Sequence, residues 1–495
     1  MKKPEINLDK EYKLFIGGEW VQSTDGKKLK TYCPADGSIL AEIAEATEED
    51  VDKAVKAAWE AFPKWSATTK SQRAKILNKI ADKIEENKEF LAMVETLDNG
   101  KPIRETLNVD IPEAANHFRY FAGVIESDEG SLNVLDKDNL SLVLREPIGV
   151  VGQIVPWNFP FLMGAWKLAP VLAAGDCTVI KPSSATSLSI LELMKLIEDI
   201  IPAGVINVIT GSGSKSGEYI LKHNGFRKLA FTGSTEVGYN VAKAAAEKLI
   251  PVTLELGGKS AHIFFDDCDM ELALDGLLLG ILFNQGQVCC AGSRVFVQEG
   301  IYDEFIKKAV EKFNSVKVGL PWDIDTQLGA QINKAQVEKV MKYVDIAKQE
   351  GANIASGGCS ILNNDLSNGF FVMPTLITDV TNNMTVAKEE IFGPVASVIK
   401  FKGEDDIIKM ANDSEYGLGG GVWTRDINKA IRVSKALETG RVWVNTYNSI
   451  PAGAPFGGYK KSGIGRETHK MVLDAYSQTK NIIINTSEKK SGLYD

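Results

Sequence analysis

Gly149-Val-Val-Gly-Gln-Ile-Val155 decides the fold, because it is the first of four short strand-like runs separated by helical stretches. The others are Cys177-Thr-Val-Ile-Lys181, Val205-Ile-Asn-Val-Ile209 and Lys228-Leu-Ala-Phe231, and the helical stretches include Leu188 to Ile201 and Ser216 to His223. Strands alternating with helices at this spacing build a parallel sheet covered on both faces, whose ligands bind at the carboxyl ends of the strands. A nucleotide-binding domain is expected here.

Upstream, Leu14 to Ile43 reads as short strands and turns. Thr47, followed three residues later by Asp50, opens a helix as a capping box, with Val51, Ala54, Val55, Ala58 and Phe62 on one face. One further helix is predicted from Ile76, Leu77, Ile80, Ile84, Leu91 and Val94, ending near Gly100 and Pro102. Downstream of Gly258 a second alternating series runs through Ala261 to Phe265, Ser293 to Gln298 and Val442 to Asn445, which implies another α/β domain with a cleft between the two. Ser131 to Arg145 alternates like an exposed hairpin, and Lys480 to Asn485 is a β-branched run; unpaired edges of this kind tend to find another chain.

At 495 residues the chain exceeds what one core supports, so about two or three domains are expected. A net charge of −9 without Lys/Arg clusters is poorly suited to neutralising a polyphosphate backbone, which excludes nucleic acid as an expected partner. Met1 to Lys13 is charged and lacks an apolar core, and Leu272 to Phe283 is broken by Asp275, Gly276 and Gly280, so neither a signal peptide nor a membrane span is expected. The cysteines at 33, 177, 268, 289, 290 and 359 lack CxxC spacing, which fits a reducing cytosol, and the four histidines suggest no metal site.

Three segments could carry chemistry. Phe283-Asn-Gln-Gly-Gln-Val-Cys-Cys-Ala-Gly-Ser-Arg294 ends a helix in a glycine-containing loop bearing two thiols; a buried structural cysteine is the plainer reading of such a residue. Val252-Thr-Leu-Glu-Leu-Gly-Gly-Lys259 puts one carboxylate at an apolar strand end, where desolvation would raise its pKa toward that of a general base, unless it pairs with Lys259. Pro156-Trp-Asn-Phe-Pro160 follows the first parallel strand, and its Asn amide suits an oxyanion donor, worth about 3 kcal/mol, or merely a turn.

Together these segments resemble the aldehyde dehydrogenase superfamily, especially its broad tetrameric aldehyde-to-acid branch. The resemblance covers essentially the whole chain and rests on PWNFP at 156 to 160, KPSS from Lys181, FTGSTEVG from Phe231 to Gly238, LELGGK ending at Lys259, GQVCCAGSR from Gly286, EEIFGPV from Glu389 and PFGGYKKSG from Pro455. It implies an α/β fold made of a Rossmann-like cofactor domain (1–127 and 146–257), an α/β catalytic domain (258–465) and a small β oligomerisation element (128–145 and 466–495). It also implies Cys289 as nucleophile with Cys290 as packing, Glu255 as the water-activating base, Asn158 with the Cys289 N–H as oxyanion donors, and Lys167 as a supporting group. A thiol is only a few per cent ionised near neutrality, so the site should either lower the Cys289 pKa or pass its proton through water to Glu255.

For the cofactor, NADP and/or NAD, Thr232 to Gly238 follows a strand and opens a helix whose amides can face a pyrophosphate, although its spacing departs from G-x-G-x-x-G. The resemblance places Gly233 and Ser234 at the pyrophosphate, Gly213 under the adenosine, Lys181 at the ribose, Glu390 and Phe392 at the nicotinamide end, and Ile154 and Trp157 beside the cofactor. NAD-selective relatives commonly carry Glu where this chain has Ser184, so a 2′-phosphate meets no carboxylate here. An aldehyde tunnel lined by Phe159, Met163, Trp166, Phe283, Ile450 and Phe456 would be apolar and suit uncharged aldehydes, with an aromatic box for a quaternary ammonium aldehyde as the alternative. A CoA-acylating enzyme is disfavoured by Glu255, and a protein that kept the fold but lost the chemistry is disfavoured by the intact Cys, Glu and Asn. Assembly as a homo-oligomer, dimer or tetramer, is expected.

Overall fold

The computed structural model describes residues 2–361 and 366–494. Its first long helix, Glu48–Ser66, begins at a reciprocal cap in which Asp50 N–H donates to Thr47 Oγ1 and Thr47 N–H donates to Asp50 Oδ2. Val51, Ala54, Val55 and Ala58 are buried along one face, while Phe62 stays partly exposed. The single helix expected over residues 76 to 100 is two, Lys70–Glu86 and Lys88–Asn99. Asn87 breaks it: its backbone leaves the helical region (φ −112°, ψ 20°) and its side-chain amide caps the Lys83 carbonyl at 2.9 Å. Gly100, left-handed at φ 89°, ends the second piece.

An eight-stranded sheet runs in the order Gly463–Ile464, Val252–Glu255, Lys228–Thr232, Val150–Ile154, Cys177–Lys181, Ile206–Val208, Leu14–Ile16, Glu19–Val21. The central five strands are mutually parallel and nearly all their residues are buried, as a sheet covered on both faces demands. The chain enters at Val150–Ile154, winds outward through Cys177–Lys181 and Ile206–Val208, then returns to the other side at Lys228–Thr232. That reversal makes a switch point between Val150–Ile154 and Lys228–Thr232, where the loops at the carboxyl ends part and leave a crevice. The segment downstream of Gly258 is not confined to its own sheet, because Gly463–Ile464 adds an antiparallel edge to Val252–Glu255.

A seven-stranded sheet follows the order Asn353–Ser356, Thr375–Thr378, Val395–Phe401, Arg294–Gln298, Ala261–Phe264, Gly419–Trp423, Arg441–Val444, antiparallel only at its Asn353 edge. The hairpin Ser131–Val134 and Asn139–Pro147 is extended by Ser477–Asn485, which pairs antiparallel from Ser477 opposite Pro147 to Asn485 opposite Asn139. Leu132, Val134, Leu144, Ile482, Ile483 and Ile484 stand exposed on this three-stranded sheet. No helix among the described residues is long and apolar enough to cross a membrane.

Polar groups fill the joint beneath the crevice. Glu95, Thr96, Asp98 and Asn99 at the end of Lys88–Asn99 are all buried, and Lys101 forms an ion pair with Asp110 in which neither side chain is exposed. Removing one member of such a pair strands a charge and typically costs about 3–5 kcal/mol, whereas replacing both with apolar groups costs far less. Lys101→Met is therefore expected to lose about that much stability in chemical denaturation, and Lys101→Met combined with Asp110→Leu to recover most of it. A single variant no less stable than the double would contradict this account.

Candidate active site

Three strand ends and one loop from the second sheet converge on the crevice. Val150–Ile154 leads into Pro156 to Pro160, and the next helix, Pro160–Ala174, starts with proline where a missing N–H costs nothing. Asn158 is 6% exposed, and its Nδ2 donates to the Gln287 carbonyl at 2.9 Å. The Trp157 carbonyl accepts from Asn99 Nδ2 at 2.7 Å, which fixes the segment from below.

Lys228–Thr232 ends at Gly233 and Ser234, where Ser234 caps the helix Thr235–Glu247 by accepting from Val237 N–H at 3.3 Å. Gly233 N–H donates to the Glu255 carbonyl at 3.0 Å, so the two neighbouring strand ends are level. Glu255 is 3% exposed, and burial first, then the nearby Glu467 carboxylate, push its pKa well above the ordinary range, with Lys167 opposing. The pairing with Lys259 is not formed. Lys259 is itself buried, pushed down to about 7 by desolvation, and its Nζ has no hydrogen-bond partner among the described residues. Lys167 sits behind Glu255 as the buried ion-pair partner of Glu467.

The thiols lie on the loop that follows Met270–Leu282. Cys290 is fully buried, with its Sγ 3.6 Å from Asn448 Oδ1 and its carbonyl accepting from Tyr447 OH at 2.8 Å, a packing role. Cys289 is partly exposed. Its pKa is raised well above that of a free thiol, first by the hydrogen bond with Cys290, then by desolvation and the neighbouring acids Glu390 and Glu255. These groups oppose the first of the two expected routes, a lowered Cys289 pKa; the second, proton transfer through water to Glu255, does not require one.

Cys289, Asn158, Glu255, Trp157, Gly233, Ser234, Glu390 and Phe392 line one cavity of about 160 Å³. Glu390 is anchored by Gly258 N–H at 2.9 Å, and Phe392 meets Trp157 edge-on with ring centres 5.2 Å apart. Gln336 and Lys339 join the same wall and were not foreseen; they stand one turn apart on Lys334–Gln349, and only that spacing could have hinted at a shared face. Ser184 borders a separate groove of about 860 Å³ with Ser212, Lys30 and Lys334. Ile154, Lys181 and Gly213 line neither space. Lys181 Nζ donates to the carbonyls of Pro182 and Gly211, each at 3.0 Å, and burial pulls its pKa down to about 8.

The apolar candidates lie apart from that cavity. Phe159 pairs with Phe283 at 5.7 Å and Trp166 with Phe456 at 5.2 Å, while Met163 and Ile450 pack into the same apolar cluster. His117, also unforeseen, lies against Trp166 at 5.6 Å.

The model of the aldehyde dehydrogenase family matches residues 20–482. Aldehyde dehydrogenase B of Escherichia coli K12 is 47% identical over 99% of this chain and 96% of its own length. A Bacillus cereus aldehyde dehydrogenase solved as its NAD+ complex superposes with a TM-score of 0.94 at 45% identity, covering 96% of this chain and 97% of that one. The betaine aldehyde dehydrogenase of Staphylococcus aureus, solved with NAD+, gives a TM-score of 0.95 at 41% identity over 98% of this chain and 97% of that one. With a family match over nearly its whole length and a thiol, an amide and an acid around one cavity, the chain belongs to the aldehyde dehydrogenase family, oxidoreductases that act on aldehydes.

Proposed function

We propose that this protein oxidises an uncharged aldehyde to its carboxylic acid through a thioester on Cys289, using NAD or NADP. The observation that carries the reading is the convergence of Cys289, Asn158 and Glu255 on one cavity whose remaining wall includes Ser234, Glu390 and Phe392. The wall fits a dinucleotide: Ser234 opens a helix whose first amides suit a pyrophosphate, and Glu390, already oriented by Gly258, suits ribose hydroxyls. Gln336 and Lys339 would join them. The bound nicotinamide supplies the hydride acceptor.

The chain's own residues do the rest. Cys289 Sγ bonds to the aldehyde carbon, and its proton passes, through water, to the Glu255 carboxylate, which releases it to solvent before the hydrolytic step. Asn158 Nδ2 has one proton on the Gln287 carbonyl and a second free to donate to the developing oxyanion. After hydride departure the thioester remains; Glu255 takes a proton from water as the hydroxide adds, the C–S bond breaks, and the acid leaves with the thiol restored. Because its pKa is raised, Glu255 is protonated at low pH and becomes an effective base only as pH rises.

We assign residues 1–127 and 146–257 to the cofactor domain, 258–465 to the catalytic domain, and 128–145 with 466–495 to a β element that assembles dimers or dimers of dimers; the apolar residues exposed on its sheet support this. All six cysteines are free, in keeping with a reducing cytosol. The ring pairs around Phe159 and Trp166 would wall an apolar aldehyde site.

Cys289→Ala is expected to abolish aldehyde-dependent cofactor reduction, and Glu255→Gln to give a single, slowed burst of reduced cofactor without turnover, its thiol proton leaving to water alone; steady activity in either variant, followed by stopped-flow absorbance, contradicts the assignment. NADP should be used, because no carboxylate stands at Ser184, and Ser184→Glu should cut kcat/KM with NADP by about tenfold or more relative to NAD. A wild-type preference for NAD beyond about a hundredfold would refute that. A raised acid stabilises the fold below its unfolded pKa and loses that contribution as pH climbs through the folded value. Above the unfolded pKa of about 4.3, the melting temperature of Glu255→Gln should therefore gain on wild type as pH rises, and a constant difference would show that Glu255 ionises without cost.

A further inference from the structure

Just before the thiol the backbone runs against the chirality of the chain. Asn284 (φ 47°, ψ 41°) and Gln285 (φ 56°, ψ 29°) are both left-handed, and Gly286 follows at φ 71°. Consecutive left-handed residues other than glycine cost about 1–2 kcal/mol each, so such a turn persists only where its surroundings hold it.

Here every residue is held. Asn284 N–H donates to Glu105 Oε2 at 2.9 Å, and Asn284 Nδ2 donates to the Asn158 carbonyl at 2.6 Å and the Gln287 carbonyl at 3.2 Å. The Gln285 carbonyl accepts from Gln331 Nε2 at 3.2 Å, and Gln287 Oε1 accepts from Ile332 N–H at 3.0 Å. A Cβ at Gly286 would sit 2.1 Å from the Gly393 carbonyl oxygen, so no larger residue fits. Two of these ties have a special direction. Asn284 links the thiol-bearing loop to the very residue that offers the oxyanion amide, and Glu105 links it to the joint below.

That joint is densely bonded. Glu105 ends the short helix Ile103–Glu105, flanked in sequence by the buried partners Lys101 and Asp110, and the Lys101 ammonium also lies 3.8 Å from the centre of the Phe159 ring. Glu95 Oε1 accepts from Phe161 N–H at 3.2 Å on the far side of Asn158. One framework thus braces both loops.

We propose that Glu105 and Asn284 are positioning residues of the oxidation: they lock the left-handed turn so that the Cys289 thiol and the Asn158 amide keep a fixed spacing, although neither need touch the aldehyde. The proposal rests on Cys289 being the nucleophile. Desolvation pushes the Glu105 acid up to about 8, and in either protonation state a side-chain oxygen accepts from Asn284 N–H, as the glutamine oxygen would.

The test compares Glu105→Ala, Glu105→Gln and Asn284→Gly. A misplacement of roughly 1 Å costs on the order of a hundredfold in rate, so Glu105→Ala should slow the burst of reduced cofactor by about ten- to a hundredfold and alter the rate of Cys289 alkylation by iodoacetamide severalfold. Its affinity for the dinucleotide should stay within about twofold of wild type, and Glu105→Gln should recover most of the lost rate. A wild-type burst in Glu105→Ala, a Gln variant as impaired as the Ala variant, or cofactor affinity falling in step with the burst would each overturn the proposal. Should Glu105→Ala not fold, Asn284→Gly decides, since glycine accepts the left-handed turn but loses both amide bonds: a slowed burst supports the proposal and a wild-type burst overturns it. Alkylation reads the thiol without turnover. A wild-type enzyme lacking any Cys289-dependent burst would fault the nucleophile assignment instead, while the alkylation comparison would still report on the turn.

Discussion

Hydrogen-bonded register between three parallel strands is the constraint on which the site depends. Phe231 lies opposite Ile154 and Thr232 opposite Glu255, so the strands Val150–Ile154, Lys228–Thr232 and Val252–Glu255 end in one row. Neighbouring strands lie roughly 4.8 Å apart, so whatever follows the last paired residue of each strand must emerge side by side. The Asn158 amide, the helix cap at Ser234 and the Glu255 carboxylate are adjacent for that reason, and a slip of one residue would send Glu255 to the opposite face. The second sheet then has only to deliver a thiol from across the crevice.

That delivery is where the molecule accepts local cost. The left-handed turn at Asn284 and Gln285 is unfavourable in isolation, and Glu95, Asp98 and Asp110 near it are fully buried. Glu95 is pushed up to about 8 by burial although Lys101 lies near, since one ammonium cannot neutralise Glu95 and Asp110 together. Behind Glu255, Lys167 is committed to Glu467, and Lys228 is drawn down to about 7 by burial. The polar interior is costly as a contribution to stability and useful as a frame, because charged and amide groups fix direction in a way apolar contacts do not.

The parts legible from sequence were those in which chemistry sits within a few residues of a strand end. Asn158 follows the valine-rich run by four residues, Glu255 terminates its own strand, and Ser234 opens the helix after Phe231, so each could be located by periodicity and turn chemistry. The helix over 76 to 100 was misread because Ile84 and Leu91 keep their apolar spacing across Asn87, and apolar spacing alone does not reveal a cap. Gln336, Lys339 and Glu467 were invisible for another reason. They reach the site from elements remote in the chain, and nothing in their local sequence distinguishes them from solvated surface residues. Gly463–Ile464 crossing to the other sheet was equally hidden, being a two-residue strand whose only signature is its partner.

The carboxyl-terminal stretch completes the centre of the molecule as well as its rim. Tyr476 OH accepts from Gln153 Nε2 at 3.2 Å in the middle of the first parallel strand, and Ser477–Asn485 then pairs along Asn139–Pro147, the segment that feeds that strand. Glu467, the partner of Lys167, belongs to the same late portion of the chain. During synthesis the polypeptide leaves the ribosome amino end first, so the groups that finish the pocket emerge well after the strands they brace. The pocket is therefore finished only once residues 467–485 have joined strands made far earlier in the chain.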